Sequence, residues 1–102
     1  MQKRKPYRNQ KILAHAKGQE CQIRLPGCLH NTETTVAAHI HAYEFGHGMG
    51  VKADDYAVAF VCSKCHLILD GAHNFDVDWL EGMFHKANTR TIGILFRDGI
   101  IK

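Results

Sequence analysis

No stretch of this chain is apolar for long enough to cross a bilayer, which takes about 20 residues, so a membrane-spanning role is set aside. The opening Met1-Gln2-Lys3-Arg4-Lys5-Pro6 lacks the apolar core of a signal peptide, and a cytoplasmic protein is expected. Internal repeats and low-complexity tracts are absent, which excludes a solenoid or a tail-like polymer. The βαβ pattern on which a redox Cys-x-x-Cys normally sits is missing too. Acidic residues are missing from residues 1–17, where six basic residues fall (Lys3, Arg4, Lys5, Arg8, Lys11 and Lys17). The rest of the chain holds seven basic and ten acidic residues, a net −3, so the formal +3 of the whole comes from this arm. A basic arm on an acidic body suits a polyanion partner, since Lys and Arg neutralise phosphates and release their counterions. A solubilising tail is the plainer reading of the arm alone.

What is present fits one small domain. A chain of 102 residues buries a modest core, and a metal or disulfides often make up the deficit. We divide it into a basic arm with a short helix (1–17) and a folded domain (18–102). Residues 1–8 are expected to be mobile, with Pro6 limiting early helix. Asn9 is a candidate cap for a helix through Lys17, with Ile12, Leu13 and Ala16 on one face and Gly18 as its stop. Ile23 and Leu25 alternate with polar residues before the Pro26-Gly27 turn signal. Thr34 to Ile40 and Tyr56 to Val61 are β-prone runs that can pair antiparallel. The loop between them (41–55) carries Gly46, Gly48 and Gly50, and long loops in compact domains are usually functional or mobile. Ser63 can cap a helix to about Asp70, ended by Gly71, with Leu67 and Leu69 left for packing. Asp76 or Asp78 then starts a longer helix whose apolar positions include Trp79, Leu80, Met83, Phe84, Ala87, Ile92 and Leu95. Asn88 to Thr91 are weak helix formers that invite a break. Asp98-Gly99 closes the helix, and Ile100-Ile101 can add a short strand.

Four cysteines form the first chemical constellation. They are spaced Cys21-x6-Cys28, then 33 residues, then Cys62-x2-Cys65. In a reducing compartment such a set points to thiolates on a metal rather than to disulfides. One wide and one tight pair on separate loops suit a closed tetrahedral zinc site with no position open to substrate. A zinc that takes His66 in place of one cysteine is the lesser option. Eight histidines form the second constellation. His15, His30 and His85 have no partner that the sequence identifies. His39, His41, His47, His66 and His73 flank the two strands and the helix, and His66 and Asp70 share a helix face. Each of these taken alone is most simply a hydrogen-bonded structural residue. Together they offer what phosphodiester hydrolysis needs: a base to take a proton from water, and donors for a cation that offsets charge on the phosphate.

The order of these features resembles a known family. Cys…Cys, a strand ending Ala38-His39-Ile40, a loop, and Cys-x2-Cys-His on a helix look like the HNH (ββα-metal) nucleases that carry a zinc knuckle. Glu20-Cys21-Gln22-Ile23-Arg24-Leu25-Pro26-Gly27, the glycine-rich loop leading to Lys52-x-x-Asp55, and Cys62-Ser63-x-Cys65-His66 with Asp70 and His73 narrow this to the YbcO-like nucleases of phages and prophages. The resemblance covers roughly residues 18–75. It implies an α+β fold: a small ββα-metal core with a four-cysteine zinc site, flanked by N-terminal and C-terminal helices. It implies that His39 is the general base and that His66 binds a catalytic divalent ion such as Mg2+ or Mn2+. Cys21, Cys28, Cys62 and Cys65 would hold structural zinc. Many HNH enzymes place Asp or His just before the base, and here that residue is Ala38. They place Asn five residues before the first knuckle cysteine, and here that residue is Ala57. Asp55 is a candidate for a loop-bracing or ligand role, and Asp70 or His73 for completing the metal shell. The expected function is a metal-dependent endonuclease that hydrolyses DNA in phage or prophage DNA processing or recombination. The basic arm and Lys52 would hold the DNA backbone without reading its sequence. The alternative, favoured by Ala38 and Ala57, is a zinc-stabilised nucleic-acid or protein-binding module without catalysis.

Overall fold

The computed structural model describes residues 5–40, 53–71 and 73–102. In chain order these form α1 (Gln10–Ala14), β1 (Val36–His39), β2 (Val58–Val61), α2 (Ser63–Leu69) and α3 (Val77–Arg97). The architecture is α+β: one two-stranded antiparallel sheet with helices packed about it. The strands pair with Val36 opposite Val61 and His39 opposite Val58.

β2 organises the packing. All four of its residues are buried, which is why it reads as a continuous apolar run rather than an alternating one. Successive side chains leave a strand on opposite faces, and here the two faces feed two separate cores. Ala59 and Val61 join Ile23, Leu25, Ile68 and Phe84 on one side. Val58 and Phe60 join Ile12, Ala16, Ile94 and Leu95 on the other. The helix α3 serves both, with Leu80, Phe84 and Ala87 near its start and Ile94 and Leu95 near its end.

The edge of β2 away from β1 is also closed. Gln22 N–H donates to Phe60 O at 2.7 Å, which lays the Cys21–Leu25 stretch beside the strand. Phe60 N–H donates to Thr91 Oγ1 at 3.1 Å, and Asn88 Nδ2 donates to Val58 O at 2.7 Å. Side chains of α3 therefore satisfy strand groups that would otherwise be buried without partners.

Local signals fix the ends of the elements. Asn9 is extended and its Oδ1 accepts from Lys11 N–H at 3.1 Å, so α1 starts where the cap was expected. Ile12 and Ala16 are buried, and Gly18 adopts φ +83°, a conformation that favours glycine. Asp76, not Asp78, caps α3, its Oδ2 accepting from Trp79 N–H at 2.9 Å. At the far end Gly99 N–H donates to Phe96 O and Ile100 N–H to Leu95 O, the paired bonds of a Schellman turn.

Five expectations need correction. Ser63 does not cap α2: Cys62 holds the cap position without a side-chain bond, and Ser63 N–H donates instead to Thr34 Oγ1 at 3.2 Å. Leu67 is 58% exposed, because Ile68 is the residue that α2 turns to the core. The break at Asn88 to Thr91 does not occur, since these weak helix formers are held by their bonds to β2. Ile100 and Ile101 form no strand but fold back on Leu95. Tyr7 and Arg8, expected in a mobile arm, are tied to residues 53–55 by several hydrogen bonds. Among the described residues, no helix is long and apolar enough to cross a membrane.

Candidate metal centre and active site

Cys21 and Cys28 enter from the loop after α1, and Cys62 and Cys65 from the junction of β2 with α2. Their four sulfurs lie within 4.8 Å of one another, and Cys28 Sγ is 3.7 Å from Cys62 Sγ. Sulfurs around a tetrahedral ion at about 2.3 Å sit about 3.8 Å apart, so the cluster has the size of such a site. All four are free thiols. Two backbone N–H groups are aimed at sulfur: Arg24 N to Cys21 Sγ at 3.5 Å and His30 N to Cys28 Sγ at 3.3 Å. Both donors come from residues in the left-handed region, with φ of +50° and +53°. Non-glycine residues hold that conformation at a cost of about 1 kcal/mol, and here it turns a donor toward a thiolate.

The charge state of the cluster fits the same role. A hydrogen bond from Cys65 is the main force drawing the Cys21 thiol down to about 4. The same contact pushes the Cys65 thiol up, with burial adding to it. Burial pushes Cys28 up as well. Thiol groups crowded this closely suit a metal ion, which displaces their protons as it binds. These residues can hold one metal ion.

The second site is built at the end of β1. His39 Nε2 lies 2.8 Å from Asp55 Oδ1, and the side chains are 14% and 2% exposed. Asp55 Oδ2 accepts from Asn9 N–H at 2.7 Å, and Arg8 Nη1 stands 3.4 Å from Oδ1. Burial alone would raise the Asp55 carboxyl. The bonds from His39 and Asn9 and the charges of His39 and Arg8 outweigh it and hold the group below its ordinary 3.8. An ionised Asp55 can only accept, so His39 Nε2 carries the hydrogen, and Nδ1 of the neutral ring keeps a lone pair. This arrangement fixes the orientation of the ring and suits it to accept a proton. His39 also lines a cavity of about 180 Å3, with Leu69, His73, Val77 and Phe84 among the other walls.

The remaining site residues are placed less compactly. His66 and Asp70 face each other on α2 with Nε2 and Oδ2 3.6 Å apart, both about half exposed. His73 Nδ1 accepts from Phe75 N–H at 3.0 Å, and its ring stacks on Phe75 at 5.8 Å. Nε2 of the neutral His73 ring therefore carries a hydrogen, and it suits a phosphate oxygen better than a cation. Among the described residues the four cysteines are the one group of three or more close metal-ligating side chains. His39, His66, Asp70 and His73 do not form another. His41, His47 and Lys52 lie outside the described residues.

Two features were not expected from the sequence. The acceptor that orients His39 is Asp55, and the carboxylate is itself braced by Arg8 and Asn9. Motif spacing could point to Asp55 but not to the arm, which lies 46 and 47 positions away. His15 also has partners: Asp98 Oδ2 at 2.7 Å, which ties the end of α1 to the end of α3, and the ring of Phe60 in β2, tilted against it at 6.3 Å.

A protein of Escherichia coli (strain K12) named "Putative nuclease YbcO" is 37% identical over 89 residues, spanning 85% of this chain and 92% of its own. A protein of the same name from Enterobacteria phage 82 matches equally. A solved structure titled "Structure of a putative bacteriophage protein from Escherichia coli str. K-12 substr. MG1655" superposes with a TM-score of 0.70 at 32% identity. That likeness covers 85% of this chain and 98% of the other. Residues 10–100 match the family described as "Putative nuclease YbcO", and the chain belongs to that family.

Proposed function

We propose that this protein is a metal-dependent endonuclease of the HNH type that hydrolyses DNA phosphodiester bonds, with His39 as general base. The observation that carries the reading is the 2.8 Å contact between His39 Nε2 and buried Asp55. An ionised, braced carboxylate fixes the tautomer of the ring, which is what a general base requires. His39 Nδ1 takes a proton from a water whose oxygen attacks phosphorus. The P–O bond to the leaving oxygen breaks, and Asp55 stabilises the imidazolium that forms. His73, with a hydrogen on Nε2, offers a donor to the phosphate from the same cavity. His66 and Asp70 would hold a divalent cation such as Mg2+ or Mn2+, whose chemistry when bound is to offset charge on the leaving oxygen. Cys21, Cys28, Cys62 and Cys65 would hold structural zinc, remote from the reaction in role because all four positions are taken by sulfur. The family's nuclease names and its phage and prophage members support the substrate class and a part in phage DNA processing.

The test is nicking of supercoiled plasmid by the wild type and His39→Ala, each with Mg2+, Mn2+ or Ni2+. Cleavage by the wild type alone supports both the activity and its base. Cleavage by neither, with zinc content and fold intact, would replace this reading with the non-catalytic nucleic-acid-binding module. Equal cleavage by both would remove His39 from the role.

A further inference from the structure

Three aromatic rings run outward from the candidate active site. His73 and Val77 line the cavity that His39 also lines. The His73 ring stacks on Phe75 with centroids 5.8 Å apart, and Phe75 meets Trp79 at 5.4 Å with the planes tilted by 52°. The indole centre is therefore no more than about 11.2 Å from the His73 ring. Backbone bonds pin the run at both ends: Phe75 N–H donates to His73 Nδ1 at 3.0 Å, and Trp79 N–H to Asp76 Oδ2 at 2.9 Å. Phe75 packs against the first core. Trp79 at the outer end is 43% exposed, and Val77 is 69% exposed. Core packing accounts for Phe75 but not for these two. Large apolar side chains left open beside one another mark a contact surface.

The charge of the surrounding chain selects what covers the indole. Asp76, Asp78 and Glu81 flank Trp79, and no Lys or Arg falls between Lys64 and Lys86. This stretch offers a backbone phosphate no cation, whereas an unpaired base is planar and uncharged. A duplex turns its phosphates outward and covers its base faces. A single strand can lay a base on the ring and keep its backbone away.

We propose that Trp79 stacks an unpaired base of the DNA strand whose phosphate lies at His39, so that the substrate is DNA with free bases: a single strand, a flap or a branch point. The proposal rests on the nuclease reading and names its substrate class. A stacked strand rises about 3.4 Å per nucleotide, so the indole is within about three nucleotides of His73. Every base has a π-face, and such a platform selects unpaired DNA without reading its sequence.

Trp79 is the one tryptophan of the chain, so its fluorescence reports on this face directly. In the His39→Ala protein, without added divalent ion, a single-stranded oligodeoxynucleotide is expected to quench that fluorescence. An abasic strand of equal length and charge is expected to leave it unchanged. In the same background, Trp79→Ala is expected to weaken binding of a fluorescein-labelled single strand about 5- to 150-fold, the loss of one base stack, and Trp79→Phe to keep most of the affinity. The salt dependence should not change, since no charge is removed. Affinity for a blunt duplex should be the same with Trp, Phe or Ala at this position. Equal quenching by the abasic strand, or unchanged single-strand affinity in Trp79→Ala, would overturn the proposal. So would an equal loss on duplex and single strand with a lowered melting temperature, which marks packing on Phe75 only. Plasmid nicking by the wild type without quenching by any strand would overturn it alone and leave the aromatic run to a protein partner. Quenching by the single strand without cleavage in any divalent ion would instead remove the nuclease reading and keep Trp79 as the base platform of a binding module.

Discussion

His39 and Asp55 are 16 positions apart, and the strand pairing that sets them together gives each a different job. β1 ends at His39, so the ring stands at the margin of the sheet, 14% exposed on the wall of a small cavity. Asp55 is buried and receives hydrogen bonds on both oxygens. Because its folded carboxyl titrates below 3.8, the stability it contributes is complete above that value. It is lost only as pH falls through the lower folded value, so the group is ionised wherever the base would work. Asp55→Asn should separate the two effects. An amide that donates to Nε2 would force the hydrogen onto Nδ1 and remove the lone pair that accepts the proton. We expect plasmid nicking to fall by on the order of 100- to 10,000-fold, the range of a misoriented catalytic histidine, with metal content unchanged. Nicking near the wild-type rate would show that Asp55 is only a structural anchor. The dyad was half legible in the sequence. His39 stood out at the end of a β-prone run before a cysteine knuckle, but its acceptor lies across a loop, where no periodicity links one residue to another.

At the scale of elements, the clearest departure from local propensity is the middle of α3. Asn88 to Thr91 weaken an isolated helix, yet α3 runs unbroken from Val77 to Arg97. The reason is tertiary. Asn88 and Thr91 hydrogen-bond to β2, one to a carbonyl and one to an N–H, and each bond satisfies a group facing away from β1. The same residues that looked like a break are the seam between helix and sheet. Thr91 is fully buried, so Thr91→Val changes little in volume but leaves Phe60 N–H without an acceptor. The loss should be about 1–3 kcal/mol in urea unfolding, the cost of a buried unsatisfied donor. A change below about 0.5 kcal/mol would mean that the strand does not depend on this bond. Elements with a private signal were readable: the Asn9 cap and Gly99 stand where the sequence put them, and Asp76 is one of the two caps it offered for α3. Where a residue's value lay in a partner far along the chain, its type misled.

Across the whole molecule, two cores meet on the two faces of one short strand, and the metal cluster closes the first of them. Cys21, Cys62 and Cys65 belong to the same apolar cluster as Ile23, Ala59 and Phe84, with Cys28 packed against it. The pair of strands among the described residues is marginal by itself. The cluster joins chain from before β1 to chain from after β2, so an ion there would cross-link the unfolded chain over a long loop as well as neutralise the thiolates that bind it. The ion should therefore be a large part of the folding free energy, not an accessory to it. Native mass spectrometry is expected to find one zinc per chain. A strong chelator or Cys62→Ser should abolish cooperative thermal unfolding, while His66→Ala should leave zinc in place and act on nicking alone. If His66→Ala also released the zinc, the histidine would be a ligand of the cysteine site. The candidate cation pair of His66 and Asp70 would then have to be abandoned, and the nuclease reading would stand on His39, Asp55 and the arm.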